Sequence, residues 1–419
     1  MMQNRWDRRE FLRMGGSTLL LLGGAGAGAL EAGDRAKPGV LVVLFQRGAA
    51  DALHMVVPYR DKRYRGLRGA LALEEPGKGE SPTLDLGEGF AFHPALAPLY
   101  PLYRAGQLGV VVNTGSPDPT RSHFDAQDYM ESGTPGKKST RDGWLARALI
   151  ELSGRQPSGA EAPSPFNAVA LTPQMPRTLA GARDTIALED FGSLARSRRE
   201  SALAERLAKL YREDASASFA SAGTAASRAV TLFREQNPLA LPPRKGVRYP
   251  GGRGENPLKQ LAQLLKSGLG VRVAFVESSG WDTHFRQGAA TGSMANLLGR
   301  LSGSLAAFYE DVGPDVPVTV LTVTEFGRTV AANGAGGTDH GHGSAMMVLG
   351  AGVRGGRVHG DWLGLEPRNL YEGRDLPVTT DFRDVFTEVA KRALSLEDTS
   401  GLFPGYRTKR VGVMADRSL

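Results

Sequence analysis

The chain has 419 residues, 41% hydrophobic and 23% charged, enough for a large α/β domain and too apolar and aperiodic for a disordered, collagenous or coiled-coil chain. It has no cysteine, which excludes disulfide staples, thiolate nucleophiles, iron–sulfur sites and zinc fingers, so any metal must be held by nitrogen and oxygen. The net charge of +7 is dispersed, with no Lys/Arg stripe and no interleaved aromatics, so nucleic acid is not expected as a partner.

Residues 1–29 read as an address. Arg8-Arg9-Glu10-Phe11-Leu12-Arg13 precedes the apolar run Ser17 to Leu22 and a Gly/Ala stretch ending at Ala29. A charged start, a short apolar centre and small residues at the end make a signal peptide. The paired arginines followed by Phe-Leu resemble the twin-arginine export signal, read by the twin-arginine export machinery. The apolar run is shorter than the roughly 18–20 residues a span requires. A mature protein of residues 30–419 is therefore expected in the periplasm or cell envelope, with no stable membrane span after processing.

Val40 to Phe45 is a short, continuous run rich in β-branched residues, the pattern of a strand buried on both faces. Leu108 to Asn113, Ala168 to Leu171, Val271 to Val276, Val316 to Val323 and Ala345 to Leu349 repeat it. Between them lie helical patterns at His93 to Ala105, Asp125 to Ser132, Leu194 to Glu213, Pro257 to Ser267, Met294 to Tyr309 and Asp381 to Leu394, the last with Thr379 and Thr380 as capping residues. Alternating strands and helices predict an α/β fold, a mostly parallel sheet with helices on both faces. A helical insert is expected at about 175–237, a cap over the sheet or one more helical layer.

Open α/β sheets bind ligands beyond the carboxyl ends of their strands, so the polar residues after each apolar run carry the chemistry. These are Gln46 to Asp51, Asn113 to Asp125, Glu277 to His284 and Thr324 to Arg328, joined by Gly337 to His342 just before the last strand. Four of the seven histidines fall in these segments. Asp282 and His284 are two apart, as are His340 and His342, so each pair leaves one face of an extended stretch. Imidazoles with carboxylates suit zinc, manganese or iron(II). The expected ligands are Asp282, His284 and His340, with Asp51, Glu325, Asp339 and His342 as further candidates. Turn-capping and hydrogen-bonding roles are the plain alternative for all of them. Ser122 precedes a helix, where it can cap the first turn or serve as a nucleophile beside the backbone N–H groups. Arg121 and Arg328 could bind an anionic substrate or pair with neighbouring carboxylates. No phosphate-cradling glycine fingerprint is present.

Together these segments resemble the DUF1501 family: Arg47-Gly-Ala-Ala-Asp51, Arg121-Ser-His-Phe-Asp125, Trp281-Asp-Thr-His284, Thr324-Glu-Phe-Gly-Arg328 and Gly337-Thr-Asp-His-Gly-His-Gly343, in this order behind a twin-arginine signal. The resemblance covers nearly all of the mature chain and implies an alkaline-phosphatase-like fold, of the superfamily of metal-dependent phosphate- and sulfate-ester hydrolases and mutases. It assigns Asp51 to the Asp after the first strand, Ser122 to the nucleophile, Asp282 and His284 to the middle-strand pair and His340 to the later His. Two-metal members carry Asp-His-Gly where this chain has Glu325-Phe326-Gly327. Phenylalanine cannot ligate, so one ion is expected rather than two, zinc or manganese. The expected function is hydrolysis of a phosphate or sulfate ester, on an anionic small molecule or a glycan ester. The alternative is a degenerate, non-catalytic hydrolase fold that binds a partner in the envelope.

Overall fold

The computed structural model describes residues 38–154, 164–192, 228–251 and 256–416. The expected signal peptide, the predicted helix at 194–213 and most of the expected insert lie outside these residues, and residues 38–419 cluster as one unit. The central sheet is built on β1 (Val40–Arg47). On one side it pairs in parallel with β8 (Val273–Ser279), followed by β6 (Ala168–Leu171) and β7 (Thr185–Ala187), also parallel. On the other side it pairs in parallel with β9 (Val318–Val323). Beyond that lie β10 (Ser344–Gly350) and β5 (Leu108–Gly115), and β5 pairs in parallel with the short β11 (Val358–His359) and β12 (Thr380–Asp381). A small separate sheet holds β2 (Val56–Val57), β3 (Leu84–Gly87) and β4 (Phe90–Phe92).

The strand side chains alternate between two cores, as a sheet covered on both faces requires. Val40, Val42 and Leu44 join one core, which includes Leu298, Leu301, Leu305 and Phe308. Leu41, Val43 and Phe45 join the other, which includes Trp144, Val385, Phe386 and Val389. Among the described residues the helices include, in chain order, α1 (Ala52–Met55), α2 (Tyr64–Arg68), α3 (Tyr100–Arg104), α4 (His123–Ser132), α5 (Trp144–Ser153), α6 (Pro257–Lys266), α7 (Ser293–Val312) and α8 (Phe382–Leu394). Among the described residues, no helix is long and apolar enough to cross a membrane.

The expected α/β architecture is present, with two local corrections. The helix expected over 93–105 is a 3-10 turn (Pro94–Leu99) followed by the short α3, because Pro98 and Pro101 each remove a backbone donor. Thr379 and Thr380 do not cap α8. Asp381 does, accepting the Arg383 N–H at 2.9 Å.

One topological feature decides where the site forms. Strand β10 runs antiparallel to both β9 and β5. Its beginning therefore lies at the edge where the other strands end, and the loop carrying Asp339 and His340 arrives beside the loops after β5, β8 and β9.

Candidate metal centre

Four loops converge at this edge. His123 opens α4 behind Ser122, whose hydroxyl accepts the Asp125 N–H at 3.5 Å. Asp282 and His284 follow β8, and Glu325 to Arg328 follow β9. His340 lies in the loop entering β10. Two glycines let that loop close on the end of β9. Gly327 N–H donates to His342 O and Gly341 N–H to Gly327 O, both at 2.8 Å. A Cβ on Gly327 would lie 1.8 Å from the Gly343 carbonyl oxygen, and one on Gly341 2.5 Å from the Arg328 carbonyl carbon.

Three imidazoles turn their Nε2 atoms toward one point. The Nε2 of His340 lies 3.1 Å from that of His123 and 3.0 Å from that of His284. The Oδ1 of Asp282 lies 3.2 Å from the Nε2 of His340 and 3.0 Å from that of His284, and its Oδ2 lies 3.6 Å from His123 Nε2. Ligand atoms around a tetrahedral zinc lie about 3.3 Å apart, given bonds near 2.0–2.1 Å. Of these four, the ligand atoms of His123, Asp282 and His340 all lie within 4.8 Å of one another.

The opposite edge of each ring is anchored. His123 Nδ1 meets Glu325 Oε1 at 2.8 Å, His284 Nδ1 meets Asp339 Oδ1 at 2.9 Å, and His340 Nδ1 meets the Arg121 carbonyl oxygen at 2.9 Å. A carbonyl only accepts, so His340 must donate from Nδ1. Burial opposes the charge of Glu325, yet hydrogen bonds from His123, Gln127 and the backbone hold its carboxyl below the usual range. Asn333 and His284 do the same for Asp339. Both are then carboxylates, which accept hydrogen bonds from the two Nδ1–H groups. Rings so fixed turn their three Nε2 edges to one another at close range, an arrangement that calls for a cation or a shared proton, and the Glu325 hydrogen bond raises the His123 imidazole above its ordinary value. Anchoring Nδ1 while Nε2 ligates is how metal-binding histidines are held. Phe326 packs its ring 5.0 Å from those of both His123 and His340, fixing their tilt.

Asp282, His284 and His340 are brought together, and Arg328 joins them, its buried guanidinium donating to Asp282 Oδ1 at 2.7 Å. Burial alone would raise the Asp282 carboxyl, but this contact keeps it below its ordinary value. Glu325 and Asp339 stand behind His123 and His284 as their anchors, at one remove from the point of convergence. Asp51 is elsewhere engaged: fully buried, it pairs with Arg68 and accepts from Gln287 Nε2 at 2.8 Å. His342 lies with its ring 4.3 Å from that of Tyr371. The side chain of Arg121 binds Glu372 at 2.6 Å and Asp375 at 2.7 Å, so only its carbonyl serves the cluster. Ser122 is a helix cap, the plainer of its two readings. The sequence reading did not single out His123 as a ligand. Its signal is its place in the Arg121 to Asp125 segment after a buried strand, beside a hydroxyl that carries the same signal.

The sequence profile described as "Protein of unknown function (DUF1501)" matches residues 102–402. No curated protein matches the sequence. Among solved structures, the C-terminal periplasmic domain of EcEptC from Escherichia coli, solved in complex with Zn, is similar at a TM-score of 0.36 and 9% identity, over 75% of this chain and 73% of that one.

Proposed function

The chain belongs to the DUF1501 family, and from that premise and its own residues we propose that it is an exported, metal-dependent hydrolase of phosphate or sulfate esters with an alkaline-phosphatase-like fold. His123, His284, His340 and Asp282 would hold one divalent ion, zinc or manganese by the hardness of the donor set. When bound, such an ion acts as a Lewis acid on an ester oxygen. The remaining steps fall to the chain itself. Glu325, Asp339 and the Arg121 carbonyl fix the three Nδ1 protons, and Arg328 keeps Asp282 ionised and adds positive charge beside the ester anion. The nucleophile would be Ser122 or water, and the Ser122 hydroxyl facing the Asp125 N–H at 3.5 Å favours water. Its oxygen bonds to phosphorus or sulfur, the ester P–O or S–O bond breaks, and the alcohol leaves with a proton.

The observation that carries this reading is the meeting of three imidazole Nε2 edges whose opposite nitrogens are already occupied. Its test is metal content and turnover. The full chain, as isolated, is expected to carry close to one equivalent of zinc or manganese, to lose it in His284→Ala, and to hydrolyse a member of an aryl phosphate and sulfate panel. A folded wild-type protein that stays metal-free in excess zinc and manganese overturns it. A second reading has its own support: Arg328 already neutralises Asp282 at 2.7 Å, as a binding protein without turnover could retain. A metal-loaded protein inert on every ester, with a glycan co-purifying, decides for that reading.

A further inference from the structure

The helix that begins at His123 has another face. Phe124, Gln127, Asp128 and Glu131 stand at positions i, i+3, i+4 and i+7 of α4, a single stripe, and all four line a cleft of about 460 Å³. Met175, in the loop after β6, lies across from them. Arg47, at the end of β1, Glu277, in β8, and Arg177, in the same loop as Met175, also line it. It thus opens beyond the carboxyl ends of three parallel strands, where open sheets bind ligands, and its size is that of a small-ligand site.

The chemistry of the walls narrows the ligand. Phe124 is 88% exposed and Met175 43%, an apolar platform open to contact. The charges are matched among themselves. Arg47 bridges Glu131 at 2.7 Å and Glu277 at 2.6 Å, and Arg177 holds Asp128 at 3.0 Å. An anion would meet two engaged guanidiniums and three opposing carboxylates. An alkyl chain would strip water from five charged side chains and return no hydrogen bonds. A sugar ring meets neither obstacle. Its C–H face packs on Phe124, and its hydroxyls donate to carboxylates and accept from guanidinium and amide N–H groups.

We propose that this cleft is a carbohydrate subsite that takes a neutral sugar ring of a glycan. It adjoins the imidazole cluster through Gln127, whose amide donates at 2.9 Å to the same Glu325 oxygen that anchors His123. The inference deepens the ester-hydrolase reading, making the alcohol of the ester a sugar, yet the binding of an unmodified sugar requires no metal and no turnover.

The test uses the full chain treated with a chelator and titrated with maltose, cellobiose, lactose and N,N′-diacetylchitobiose, followed by saturation-transfer NMR and calorimetry. At least one disaccharide is expected to saturate with a millimolar Kd. Phe124→Ala weakens it about tenfold, the size of one lost aromatic contact, and leaves zinc affinity unchanged. Phe285→Ala, at a residue 76% exposed beside His284 but outside the cleft lining, leaves the sugar Kd within twofold. If no disaccharide saturates at tens of millimolar, or Phe124→Ala does not move the Kd, the subsite is overturned. Sugar binding without metal binding preserves the subsite and removes the hydrolase. Metal binding without sugar binding does the reverse.

Discussion

Two clusters of histidine, carboxylate and arginine lie in this fold, and they have opposite characters. In the buried one, His54 and His93 stack with ring centres 5.0 Å apart, and both direct Nε2 at the same oxygen, the Ala289 carbonyl, at 3.1 and 3.0 Å. The carbonyl accepts a hydrogen bond from each ring, and Asp51 beside them is neutralised by Arg68. In that cluster the Nε2 edges are spent on a fixed acceptor, and the buried His54 Nδ1 has no hydrogen-bond partner among the described residues. At the rim, His123, His284 and His340 have their Nδ1 edges anchored and their Nε2 edges facing each other. The residue types are nearly the same. Which ring nitrogen finds the fixed acceptor separates a structural histidine from a candidate ligand.

The sharpest way to break this contrast is to remove His340, whose Nε2 contacts both other imidazoles and Asp282. His340→Ala is expected to abolish stoichiometric zinc binding, read by competition with a chromophoric chelator, while the fold by circular dichroism persists. Asp51→Ala is expected to do the opposite. It strands the buried Arg68 guanidinium and costs about 3–5 kcal/mol in urea unfolding, while protein that remains folded keeps its zinc affinity. Equal damage to both properties would show that the two clusters are one functional unit.

Smaller effects refine it. Glu325→Gln keeps the shape but weakens the hold on the His123 proton, so zinc affinity is expected to fall about 10- to 100-fold with little change in stability. The buried cluster should appear in the pH dependence of unfolding. Burial holds His54 at about 3 against 6.5 when unfolded, so the unfolded chain takes up a proton that the folded chain refuses. Stability therefore falls as pH drops below about 6.5, continuing toward about 3, and His54→Gln should make that slope shallower. The least effect is expected from Ser122→Ala, about 1 kcal/mol for a lost helix cap, with zinc affinity unchanged. A large loss of ester turnover in Ser122→Ala would restore it as nucleophile.

Much of the fold was legible because buried parallel strands are written as uninterrupted apolar runs. Val40 to Phe45 and Ala168 to Leu171 are strands where expected, whereas 93–105 read as one helix because its apolar spacing outweighed the two prolines. At the site, Asp282, His284, His340 and Arg328 were legible as polar residues flanking such runs. Asp51 and His342 shared that signature and yet turned to Arg68 and Tyr371. A flanking position says which edge of the sheet a residue reaches and nothing about which way its side chain turns.

By its own pattern the sequence determined six strands of the central sheet (β1, β5, β6, β8, β9 and β10), the two-sided burial of that sheet and the set of polar loops, since these follow from local periodicity and from where hydrophobic runs stop. Only the tertiary structure decided that β10 runs against its neighbours, bringing His340 to the ends of the parallel strands, and that His123 rather than Ser122 faces His340 and Asp282. Strand direction and ring orientation depend on contacts between segments distant in the chain, from the β9–β10 pair to His123 Nδ1 on Glu325, and no local spacing encodes them.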